Sequence, residues 1–224
     1  MTEPQTIHDR LDLQALEAQI LGSPQTATKI GFRIERYRDQ VPELLRLYYR
    51  AEVLGRGCPF IDDQHTGEHL QKAANWLLNV RRPKTGLIIC GGTGNGKTTM
   101  ARALAQTIQK CNNQAVARIT ALQFATLEAE RDENRYKLIQ YRQAPVLFLD
   151  DVGMEAASVK VWGNVISPVV ELIYQRYDLQ LFTIATSNLN TRQLAEKYGD
   201  RVGDRIREMF NVLAFNNESY RGEL

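Results

Sequence analysis

The chain has 224 residues, 43% hydrophobic, 24% charged and 8% aromatic, a globular balance that excludes collagen, a coiled-coil rod and a wholly disordered chain. Its formal net charge of +2 is too small to argue for a nucleic-acid partner on its own. No run approaches the roughly 20 apolar residues of a membrane span, the first residues show no basic and apolar leader, and Cys58, Cys90 and Cys111 make no Cys-x-x-Cys. A cytoplasmic protein without a membrane partner is expected.

In chain order, Leu13, Leu16, Ile20 and Leu21 follow helical spacing and stop at Gly22-Ser23-Pro24. Pro42 suits a first helical turn, and Leu44, Leu47, Tyr48, Ala51 and Leu54 predict the apolar face of the next helix. Turn formers at 55–63 then break the pattern. Residues 1–55 therefore read as a small helical N-terminal region, 56–63 as a linker and 64–224 as the larger domain. A helix is predicted over about 65–80 from Leu70, Ala73, Ala74 and Leu77. Beyond it, apolar runs at 87–90, 116–119, 146–149, 181–185 and 212–215 alternate with helical patterns at 97–111, 121–142, 157–177 and 191–209. Strands that alternate with helices predict an α/β fold, a parallel sheet flanked by helices.

The strongest chemical signal is Gly91-Gly92-Thr93-Gly94-Asn95-Gly96-Lys97-Thr98, continued by Thr99, which matches G-x-x-x-x-G-K-[ST] between a predicted strand and a predicted helix. Glycines there let the backbone wrap a phosphate, so that amides and the helix N-terminus face anionic oxygens. Lys97 pairs with the β- and γ-phosphates of ATP in such a loop, and the Thr98 hydroxyl is offered to Mg²⁺. The run 146–149 ends in Asp150-Asp151, which delivers two carboxylates to the sheet edge where ligands bind. Asp150 is the expected magnesium partner, and Asp151 the acid that polarises the attacking water. Asp151 is one methylene shorter than glutamate, which leaves slow hydrolysis, or an ATP-gated adaptor, as an alternative.

The strand at 181–185 leads into Thr186-Ser187-Asn188. Asn188 reads either as an amide bridging water and γ-phosphate or as the N-cap of the helix near Thr191. Arg201, Arg205 and Arg207 gather on or near one predicted helix, as an arginine finger for a neighbouring subunit or as a solvated basic face with Asp204.

Taken together, the loop at 91–98, Leu-Asp-Asp-Val-Gly at 149–153, Thr186-Ser-Asn188 and Gly199-Asp-Arg-Val-Gly-Asp-Arg-Ile206 resemble DnaC/DnaI-type replicative helicase loaders. These are AAA+ ATPases related to DnaA and to the transposition helper IstB. Phe215-Asn-Asn-Glu-Ser-Tyr-Arg221 is similar to the end of such loaders. The resemblance covers about residues 60–224. It implies a P-loop AAA+ (ASCE) sheet, Lys97 and Thr98 as Walker A, Asp150 and Asp151 as Walker B, Asn188 as sensor 1 and Arg205 as the arginine finger. It also implies a DnaB-type replicative helicase as partner, single-stranded DNA as ligand, self-association with ATP bound and a helicase-binding N-terminal region. The short stretch after Arg205 leads to the expectation of no C-terminal lid, as in these loaders. An IstB-like ATPase helper of a transposase is the alternative.

Weaker signals compete with these. His65-Thr-Gly-Glu-His69 spells H-x-x-E-H, but Gly67 and the missing further ligand point to helix packing near the nucleotide rather than zinc. Lys160 and Trp162 offer a charge beside a flat ring for a DNA base, or Trp162 is core or interface. Arg81-Arg82-Pro83-Lys84 reads as a solvated loop, with DNA or partner binding as the lesser alternative.

Overall fold

The computed structural model describes residues 34–78, 84–161 and 164–220. The helical pattern at 13–21, Arg81 and Arg82, and Trp162 lie outside the described residues, as does the side chain of Lys160. After a short 3₁₀ turn at Glu35–Tyr37 come α1 (Val41–Leu54), α2 (Gln64–Leu78), β1 (Gly86–Gly91), α3 (Lys97–Asn112), β2 (Ala117–Thr120), α4 (Ala121–Ala129), α5 (Arg131–Gln143) and β3 (Val146–Asp150). The chain continues through β4 (Val159–Val161), β5 (Asn164–Ile166), α6 (Pro168–Asp178), β6 (Phe182–Ser187), α7 (Thr191–Tyr198), α8 (Asp200–Met209) and β7 (Phe210–Phe215).

The five predicted apolar runs form one parallel sheet in the order β2-β3-β6-β1-β7. A strand buried on both faces sends alternate residues to opposite layers, and β1 does so. Leu87 and Ile89 join the core under α1, α2 and α3, whereas Ile88 and Cys90 join the core under α4, α6 and α8. The same alternation splits Val146 and Phe148 from Leu147 and Leu149 in β3. The α/β expectation holds, and the strand order brings the C-terminal ends of β1, β6 and β3 side by side.

Five local expectations change. In α1 the buried stripe is Val41, Leu45 and Tyr49, while Leu47 and Leu54 are exposed, at 61% and 51%. The stripe packs in one core with Met100, Ala101 and Leu104 of α3. Residues 34–54, expected within a separate N-terminal region, thus share the core of the larger domain. Residues 157–177 are not one helix: β4 pairs with β5 as an antiparallel hairpin, and α6 begins only at Pro168. Proline at that point starts a helix more readily than it continues one, and the β-branched residues before it favour strand.

The pattern at 121–142 breaks at Glu130 (φ −110°, ψ 42°) into α4 and α5. Buried Glu128 sits just before the break, with Arg131 and Arg142 of α5 as its ion partners. The pattern at 191–209 breaks at Gly199, whose φ of 96° is open to glycine but costly for other residues. There α7 and α8 pack so closely that a Cβ on Gly203 would lie 2.5 Å from the Ala195 Cβ.

Candidate nucleotide site

The loop at 91–98 leaves β1 and enters α3, whose first residue is Lys97. Gly94 and Gly96 have φ of 82° and 96°, the left-handed region in which glycine carries no Cβ penalty. A Cβ on Gly96 would also lie 2.7 Å from the Tyr49 hydroxyl, so α1 closes the loop from below. Burial, with the charges of Tyr220 and Asp63 nearby, pushes the Tyr49 hydroxyl up to about 12, which keeps it neutral. Lys97 is only 5% exposed; its ammonium donates to the Gly92 carbonyl and, at 3.2 Å, to Asn95 Oδ1. The amine is therefore already curled over the candidate phosphate loop.

Across the sheet edge, the Thr98 hydroxyl donates to Asp150 Oδ1 at 3.0 Å. Thr186, at the end of β6, donates its hydroxyl to the same oxygen at 2.5 Å and accepts the Asp151 N–H at 2.9 Å. Thr98, Asp150 and Thr186 thus form one cluster drawn from α3, β3 and β6. Sequence reasoning named Thr186 within its run but gave it no role; its signal was a hydroxyl at the end of the strand beside the acid-bearing one. The donor set is hard oxygen only, hydroxyl and carboxylate, which suits Mg²⁺. Among the described residues no group of three or more His, Cys, Asp or Glu side chains could hold a metal ion.

Asp151 follows with φ of 57°. The left-handed region disfavours most side chains, and Asp and Asn are the non-glycine residues that enter it most readily. The turn itself thus favours aspartate over glutamate at this position. Its exit is fixed by Val152 N–H to the Thr186 carbonyl at 2.8 Å and by the Ser187 hydroxyl to the Val152 carbonyl at 2.6 Å.

Asn188 is partly exposed, with its amide 3.7 Å from Met154 Sδ. It is not the N-cap of α7: that position belongs to Asn190, which accepts the Gln193 N–H in a capping box. Arg205 lies on α8, donating to Glu208 at 2.8 Å with its guanidinium 4.5 Å from the Tyr177 ring centre. Arg207 pairs with Asp204, and Arg201 is exposed. His69 is buried and stacked on Phe215, with ring centres 3.7 Å apart and planes at 4°, so it serves packing, while His65 is exposed. Lys84 donates to the Phe210 carbonyl at 3.0 Å rather than standing in solvent. No helix of the described residues is long and apolar enough to cross a membrane.

The family described as IstB-like ATP binding protein matches residues 69–223. No curated protein matches the sequence. Among solved structures, the DnaC helicase loader is 24% identical with a TM-score of 0.58, the match covering 70% of this chain and 93% of that one. DnaI is 22% identical at TM-score 0.56 over 70% and 87% of the two chains. The replication initiator DnaA bound to AMPPCP and single-stranded DNA is 20% identical at 0.54, over 71% of this chain and 49% of DnaA. These likenesses establish the AAA+ P-loop fold.

Proposed function

This chain belongs to the IstB-like ATP-binding family, and from that premise we propose that it is an ATP-dependent loader of a DnaB-type replicative helicase onto single-stranded DNA. The observation that carries the reading is the Thr98–Asp150 contact, which joins the phosphate loop to the acid-bearing strand at the edge where α/β sheets bind ligands. The shared fold of the DnaC helicase loader and DnaI supports the choice of partner, and DnaA solved with single-stranded DNA supports the choice of ligand.

In this reading the protein is cytoplasmic and self-associates with ATP bound. The amides of 92–98 and the Lys97 ammonium hold the β- and γ-phosphates. Thr98 and Asp150 hold Mg²⁺, an ion that neutralises charge spreading over the phosphate oxygens. Thr186 fixes the Asp150 carboxylate, Asp151 polarises the attacking water and Asn188 orients it against the γ-phosphate. Arg205 of one subunit reaches the ATP of the next, so turnover needs assembly. ATP binding favours the assembly that holds helicase and single strand; hydrolysis releases it.

Arg205→Ala is expected to keep ATP binding and to lose turnover by about 10³-fold or more, the scale of an arginine finger. Equal turnover in the variant sinks the shared site. The partner is tested by light scattering of the protein mixed with its host's replicative helicase, with and without ATP. A joint particle is expected, lost on deletion of residues 1–33, which leaves α1 and its core contacts in place. The family description names IstB, and the rival reading is an IstB-like ATPase helper of a transposase acting on duplex DNA. That rival gains if no joint particle forms and duplex DNA is bound.

A further inference from the structure

A phosphate loop turns its amides toward the anion, so its carbonyls point outward and need partners elsewhere. Here the chain after β7 supplies them. The Tyr220 N–H donates to the Gly94 carbonyl at 3.0 Å, and Asn217 Nδ2 donates to the Asn95 carbonyl at 3.3 Å. In return, Asn95 Nδ2 donates to the Phe215 carbonyl at 3.0 Å, while Asn95 Oδ1 receives the Lys97 ammonium. The phosphate-binding lysine is therefore two hydrogen bonds from the main chain of the tail.

The tail is itself pinned. The Tyr220 hydroxyl lies 3.1 Å from each Asp63 carboxylate oxygen, to which it donates, and 3.1 Å from the Thr66 hydroxyl. Asp63 is no loose surface acid, because it caps α2 by accepting the Thr66 N–H at 2.7 Å. Partial burial works against its charge, yet the Thr66 and Tyr220 hydrogen bonds hold its carboxyl below the usual carboxylate value. One tyrosine thus ties the linker, the start of α2 and the phosphate loop together.

We propose that residues 215–220 brace the phosphate loop and that Tyr220 is a positioning residue for nucleotide binding, acting through Gly94 and Asn95. A loop with glycines in the left-handed region at 94 and 96 has many conformations when unbraced. Ordering them before the ligand arrives removes that cost from binding. The inference rests on the ATP-binding reading and adds to it a residue outside the P-loop, acid and arginine motifs.

The test is Tyr220→Phe, which removes the hydroxyl and keeps both ring and backbone N–H, compared with Asp63→Asn, which still caps a helix, and with the double variant. Affinities for ATP and ADP are read by calorimetry well below the melting temperature, and amide exchange is read across 92–96. Expected are an approximately fivefold weaker Kd for both nucleotides, only part of the value of one hydrogen bond to a charged group because the Tyr220 backbone N–H still holds Gly94, and faster exchange in the loop. The double variant should be no weaker than the worse single one, because both act on the same bond: phenylalanine removes its donor, and asparagine leaves only a neutral acceptor. Unchanged Kd and exchange in Tyr220→Phe overturn the brace, as does a fall in melting temperature alone. A wild-type protein that binds no ATP overturns the ATPase reading instead, and the brace with it as a nucleotide device.

Discussion

The two sides of the nucleotide site are built from different materials. The phosphate loop is held mainly through its backbone: carbonyls of Gly92, Gly94 and Asn95 take hydrogen bonds from Lys97, Tyr220 and Asn217. The acid side depends on side-chain oxygens, with Thr98 and Thr186 both on Asp150 Oδ1. A backbone-built cradle survives many side-chain changes, whereas a side-chain cluster loses its geometry with one atom. The contrast implies that binding and hydrolysis separate under mutation.

The largest effect should fall on the cradle's one indispensable side chain. Lys97→Ala is expected to weaken ATP binding by about 10³-fold, the cost of losing a desolvated charge contact; calorimetry measures it, and binding within a few-fold of wild type breaks the contrast. On the acid side, Asp151→Asn should leave binding intact and slow turnover by about 10²-fold or more, as for loss of a general base. Steady-state phosphate release together with the binding isotherm checks both halves. Thr186→Val keeps the shape and removes the hydroxyl that serves Asp150 and the Asp151 N–H. About tenfold slower turnover with near-normal binding is expected, since the Asp150 carboxylate and the half-buried Asp151 N–H each lose a hydrogen bond worth about 1 kcal/mol. Weakened binding with normal turnover would reverse the assignment of the two sides.

How much could be read beforehand follows the same division. The loop, the helix after it and the Asp150-Asp151 pair were legible because each is local: glycines, lysine and acids lie in one run flanked by its own strand. The sheet was legible because strands buried on both faces read as unbroken apolar runs. What escaped depends on contacts far apart in sequence. Tyr220 and Asp63 are 157 residues apart, and nothing in either neighbourhood announces the other. The α1 stripe escaped because two apolar faces were available, and the surfaces of α2 and α3 select Val41, Leu45 and Tyr49 over Leu44, Leu47 and Leu54. The β4–β5 hairpin was missed by weighing helical spacing over its β-branched residues, although Pro168 marked where the helix begins.

The turn at Asp151 sharpens the acid side further. Asp151→Glu puts a side chain less tolerant of φ 57° into that turn, and a loss of about 1 kcal/mol of stability is expected. Denaturant unfolding reads it; a variant as stable as wild type would show that the turn does not select aspartate.

The smallest predicted effect belongs to the cradle side and depends on pH. Burial beneath the tail, aided by the charges of Lys72 and His65 and opposed by Glu68 and Asp63, holds His69 below its ordinary 6.5. Its neutral ring stacks on Phe215, the residue whose carbonyl accepts from Asn95. Between the folded value and 6.5 the unfolded chain takes up a proton that the folded chain refuses. The contribution is therefore complete above 6.5 and lost as pH falls through that value toward the folded one. His69→Phe keeps a ring against Phe215 and removes the titration. Melting temperatures measured from pH 7.5 downward should fall more steeply for the wild type than for the variant, and parallel curves would mean that the stack carries no proton linkage.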